Sequence, residues 1–130
     1  MIERHWNADL MATIFGLVFL AVGLVGFVQN PVVSETGVFR VNDAHNSLHI
    51  ASGVVLLAGA FFKAPVTTIR VMAVLYSILT IIGFVITDRM LFGLIAMNVA
   101  DRWLHLVIAV ALLLVGFLAP ARESIRTAHF

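Results

Sequence analysis

The chain has 130 residues, 62% hydrophobic and 12% charged, with a formal net charge of +1 and a mean hydropathy of +1.07. Soluble domains are roughly 45–50% apolar and about 25% charged, and a fold this small cannot bury the excess, so the bilayer is the expected solvent. The small charge, with no Lys/Arg cluster, argues against a nucleic-acid partner, and the lack of Cys excludes disulfides, thiolate catalysis and Cys-ligated metal clusters.

A hydrocarbon core of roughly 30 Å takes about 20 mostly apolar helical residues. The first such stretch covers 10–28, with no charge between Asp9 and Glu35. It exceeds a signal-peptide core of about 7–15 residues, and its flank mixes Glu3, Arg4 and Asp9, so it reads as a retained helix. Gly16, Gly23 and Gly26, with Ala12 one turn before Gly16, suit close helix packing. The second span, 44–62, carries only His45 and His49 as titratable groups. The third, 66–86, has Arg70 near its start, expected to snorkel to the interface. Tyr76, Ser77 and Thr80 within it read as interhelical or back-bonded hydroxyls. The following loop, Met90 to Met97, is too apolar for water; it is expected to anchor in the interface or, less ordinarily, to lid the bundle. The fourth span, 100–118, stops before Pro120. Barrel strands alternate and run only about 10 residues. The expected fold is therefore all-α: a single-domain, polytopic membrane protein built as a four-transmembrane-helix bundle.

Basic residues set the expected orientation. Arg4, Lys63, Arg70, Arg122 and Arg126 fall on the side of the termini, and Arg40, Arg89 and Arg102 on the other. Five against three places both termini in the cytoplasm. Trp6 and Trp103 fall near opposite interfaces, as aromatic belts do.

The second half of the chain repeats the first. Gly37 to Phe62 aligns without a gap onto Gly93 to Leu118, matching Asn42 to Asn98, Ala44 to Ala100, Leu48 to Leu104, His49 to His105 and Phe61 to Phe117. Gly26-Phe27-Val28 matches Gly83-Phe84-Val85 with a one-residue shift. The units, about 10–62 and 66–118, are two tandem helical hairpins entering from the same side, a parallel repeat. His49 and His105 are then expected at one depth, roughly 10 Å below the Asn that opens each helix, in the outer leaflet.

Asn42 and Asn98 stand where helix N-caps belong, and Asp101 lies at the third position after Asn98, as in a capping box. Capping alone accounts for these three residues. His45 and His49 share a helix face at i,i+4 spacing, as do Asp101 and His105. If the two faces meet, His45, His49, Asp101 and His105 form a donor set suited to zinc or copper. His49 and His105 alone would suit the axial positions of a haem. An interhelical hydrogen bond explains the histidines without any ligand, and a proton or substrate role is the third alternative.

Leu91 to Leu106 contains Asn98, then Ala100-Asp101-Arg102-Trp103-Leu104-His105, and the second span opens with Asn46-Ser47-Leu48-His49. These elements resemble the domain of unknown function 4383 family, whose members carry Asn followed by Ala-Asp-x-Trp-Leu-His opening the last of four helices and Asn-x-x-His opening the second. The resemblance covers nearly the whole chain and implies a four-helix bacterial inner-membrane protein, with no activity attached. Ala96 departs from the pattern where Pro is expected, and Arg102 where Asn or a small residue is commoner.

No phosphate loop, HExxH pair or nucleophile elbow occurs, so an enzyme is the least favoured reading. The leading expectation is a non-enzymatic accessory or assembly component of a membrane complex, its partners being lipid, other membrane proteins or a second copy. The alternatives are a metal- or haem-binding membrane protein, and a small transporter or channel formed as an oligomer.

Overall fold

The computed structural model describes residues 7–118; Arg4, Trp6, Pro120, Arg122 and Arg126, which enter the orientation, interface and helix-end expectations, lie outside the described residues. Within them the order is α1 (Ala8–Val25), β1 (Val33–Ser34), β2 (Phe39–Arg40), α2 (Asp43–Phe61), α3 (Pro65–Val85), β3 (Met90–Leu91), β4 (Ile95–Ala96) and α4 (Val99–Leu113), which continues as a π-helical turn over Leu114–Leu118. Four helices, the last counted to Leu118, are long and apolar enough to cross a membrane. The side of the molecule holding β1 to β4 is the loop face, and the side holding the α2–α3 link is the link face.

Local chemistry sets the helix ends. Asn7 opens α1 by accepting from Leu10 N through its side chain at 3.1 Å. The helix stops three residues before the expected end, because Asn30 folds back and donates through Nδ2 to Val25 O at 3.2 Å and to Val28 O at 2.7 Å. Between α2 and α3, Lys63 takes φ 60 while Ala64 N bonds Gly59 O at 2.8 Å, a left-handed helix end of the kind glycine usually supplies. Pro65 then starts α3 where a missing N–H costs nothing. The exposed Lys63–Asp9 ion pair, 3.5 Å, bridges this link to the start of α1.

The closest helix contact is between α1 and α2. A Cβ on Gly53 would stand 2.7 Å from Gly16 O, and one on Gly16 would stand 3.0 Å from Gly53 O. Only glycine lets the two backbones touch here, as the small-residue stripe of the first span suggests. Phe19, Leu56, Ile69, Met72, Tyr76 and Leu112 fill the centre, while Leu17, Val54, Val71, Ile81, Val107 and other large apolar side chains face outward. Exposing such residues to water would be costly, so the outer surface is a lipid surface. Near the link face, Arg70 donates through Nε to Gly116 O at 2.8 Å, and its guanidinium carbon sits 5.2 Å from the centre of the Phe117 ring. Arg70, expected to snorkel to the interface, thus ties α3 to the π-helical turn that follows α4.

Candidate metal centre

Two asparagines organise the loop face. Asn42 accepts from His45 N at 3.0 Å, opening α2. Asn98 accepts from Asp101 N at 3.0 Å while Asp101 Oδ2 accepts from Asn98 N at 2.9 Å, a complete capping box. Each asparagine also reaches across to the other hairpin: Asn42 Nδ2 donates to Leu94 O at 2.8 Å, and Asn98 Nδ2 to Val38 O at 2.8 Å. The start of each inner helix is therefore pinned to the loop that precedes the other.

The histidines lie within the first two turns below this layer. His45, His49 and His105 are buried, with 2%, 5% and 5% exposure. Their ring centroids are 4.5 Å apart for His45–His49, 5.3 Å for His45–His105 and 6.0 Å for His49–His105. One nitrogen from each ring falls in a group whose members lie within 4.8 Å of one another. His45 Nδ1 is 2.7 Å from Ala96 O; a carbonyl can only accept, so Nδ1 carries the proton and Nε2 keeps its lone pair. That Nε2 and the Nδ1 atoms of His49 and His105 are buried without a protein hydrogen-bond partner. Leaving a buried polar atom unsatisfied costs about 1–3 kcal/mol, so three of them in one place make this cluster the candidate site.

Beside the rings is a cavity of about 50 Å³. Leu91, Ile95 and Met97 contribute to its lining from the loop face, together with Ser52 from α2 and Tyr76 from α3. The apolar loop therefore lies over the site: Leu91, Ile95 and Met97 turn inward while Phe92 and Leu94 face out at 65% and 61% exposure. Its three-residue turn puts Phe92 at φ 55 and Gly93 at φ 68. Tyr76 OH and Ser52 Oγ satisfy each other at 2.8 Å, and Phe19 packs on both Tyr76 and His49, 5.0 and 5.9 Å between ring centroids.

Three imidazole nitrogens bound to one metal at about 2.0–2.1 Å stand about 3.4 Å apart. Drawing in nitrogens now within 4.8 Å needs shifts of under about 1 Å per ring, which side-chain torsions supply. A haem held by His49 and His105 would have to make room for His45, whose ring centroid stands 4.5 and 5.3 Å from theirs. Of the four residues read as a metal set, three come together. Asp101 faces the cap instead, its carboxylate held by the Asn98 backbone.

The family model for the domain of unknown function 4383 matches residues 10–118. The chain belongs to this family. No curated protein and no solved structure matches it. Both stretches that carried the resemblance lie at the site. Asn46, from the Asn-x-x-His element, is 1% exposed and packs so closely on Gly26 that a Cβ there would lie 2.0 Å from its Oδ1. Arg102 is buried at 8% exposure and donates to Asp88 O at 3.1 Å. Sequence reasoning missed the Ala96 carbonyl that orients His45 and the cavity-lining roles of Leu91, Ile95 and Met97. That loop is apolar throughout and buries in blocks, Leu91 and then Ile95 to Met97 inward with Phe92 to Leu94 outward, so no alternation in the sequence announced these roles.

Proposed function

We propose that the protein is a metal-handling accessory component of a membrane complex, holding one first-row transition metal on His45, His49 and His105. The observation that supports this reading is the convergence of three buried histidines, each with a ring nitrogen lacking a protein partner. Imidazole suits zinc, copper, iron and nickel. The His45 Nδ1–H bond to Ala96 O is the kind of contact that orients a ligating imidazole in established metal sites. The metal would join the two hairpins, since His45 and His49 stand on α2 and His105 on α4.

Further features of the reading concern placement. The membrane is the bacterial cytoplasmic membrane, with both termini in the cytoplasm and the site in the outer leaflet; the five-to-three basic count supports that orientation. The chain is a tandem repeat of two hairpins, a reading supported by the reciprocal Asn42–Leu94 and Asn98–Val38 bonds, in which the two asparagines, and likewise the two carbonyl residues, are related by the 56-position offset of the repeat. Minimal aqueous segments favour an accessory role over catalysis.

The test is elemental analysis of detergent-purified protein beside a His49→Ala/His105→Ala variant, with circular dichroism as a folding check. Near-stoichiometric metal in the native protein and its loss in a folded variant is the expected result. Absence of metal from a folded native protein that also takes up none on dialysis against zinc or copper refutes the proposal.

A further inference from the structure

Resting on the tri-histidine reading, the charge and softness of the cavity lining narrow the metal. The three histidines are neutral ligands, and among the described residues no carboxylate oxygen or cysteine sulfur joins their group. Asp101, one turn before His105, has its carboxylate engaged with the backbone N–H of Asn98 and lies next to Arg102 in the chain. Leu48, Leu75, Leu79, Leu91 and Ile95 make the remaining walls largely hydrocarbon. The cost of burying a charge in such surroundings rises with its square, so a divalent ion on neutral ligands is penalised about four times as heavily as a monovalent one. The lining also contains one sulfur residue, Met97, 4% exposed and carried by the loop that covers the cavity. A thioether is a soft ligand that favours Cu(I), and imidazole suits copper as well.

We infer that the site takes a cuprous ion, with His45, His49 and His105 as nitrogen ligands and Met97 as the sulfur ligand. Met97 Sδ lies against α3, where a Cβ added to Gly83 would be 3.2 Å from it, so ligation requires the side chain to rotate from there toward the histidines. Methionine's three rotatable bonds make that adjustment easy. Binding then draws the loop, α2 and α4 onto one ion.

The test titrates the full-length, chelator-stripped protein in detergent under anaerobic conditions, with Cu(I) against a chromophoric Cu(I) chelator and separately with Zn(II) against a zinc indicator. One Cu(I) per chain, bound more tightly than Zn(II), is expected. Met97→Leu keeps the side-chain volume and is expected to fold; it should weaken Cu(I) binding at least about tenfold, the scale at which loss of even an outer contact is felt, and leave Zn(II) affinity unchanged. Histidine-dependent Zn(II) binding in preference to Cu(I) would overturn the cuprous assignment and leave the tri-histidine site standing. Unchanged Cu(I) affinity in Met97→Leu would overturn the thioether ligand. Binding of neither metal would overturn the site itself.

Discussion

Replacing Asn98 separates the two tasks that its side chain performs. Its Oδ1 caps α4 through Asp101 N at 3.0 Å, and its Nδ2 holds the opposite loop through Val38 O at 2.8 Å. Loss of an asparagine cap costs about 1 kcal/mol, within a range of roughly 0.5–2. A neutral hydrogen bond contributes about 0.5–1.5 kcal/mol. Asn98→Ala removes both and should destabilise the bundle by about 2 kcal/mol. Asn98→Ser keeps a capping oxygen but is too short to reach Val38 O, so it should cost about 1 kcal/mol. Reversible unfolding in mixed micelles of rising dodecyl sulfate fraction, followed by far-ultraviolet circular dichroism, measures the difference. Equal losses for Ser and Ala, or losses under about 0.5 kcal/mol for both, would refute the division into cap and cross-hairpin tie.

Gly53→Val should force α1 and α2 apart, since its Cβ would meet Gly16 O at 2.7 Å; overpacking of this kind costs about 1–3 kcal/mol, read as a lower unfolding midpoint. Phe92 holds φ 55, so Phe92→Asn, a residue that tolerates the left-handed region, should raise stability by up to about 1 kcal/mol in the same assay. Tyr76→Phe breaks the 2.8 Å bond to Ser52 and should cost about 0.6 kcal/mol, the average for interhelical hydrogen bonds in membranes, with metal stoichiometry unchanged. A large loss of bound metal in folded Tyr76→Phe would show that the phenol serves the site directly.

The helices were readable because each apolar run is long and free of charge, and the observed starts fall within two residues of the expected ones. Asn98 and Asp101 announced their cap through spacing along one helix, where local chemistry decides the outcome. Convergence of the histidines was not readable, because spacing within α2 and within α4 fixes a shared face on each helix but not which faces meet. Asp101 shows the same limit from the other side: it shares a face with His105, yet the Asn98 backbone claims its carboxylate. That His45 stands beside both His49 and His105, where a haem would need room, is likewise a property no spacing reveals. Nor did sequence show that Arg70 would find Gly116 O, 46 positions away, or that one face of the Met90 to Met97 loop would line the cavity.

X-ray absorption spectroscopy of the metal-loaded protein at the copper or zinc edge is the most direct test of the tri-histidine site. Three imidazole nitrogens at about 2.0 Å, with the multiple scattering characteristic of the ring, are expected, and that pattern should be lost in the His49→Ala/His105→Ala variant. A first shell of oxygen scatterers without imidazole features, or a spectrum unchanged in that variant, would contradict the tri-histidine site.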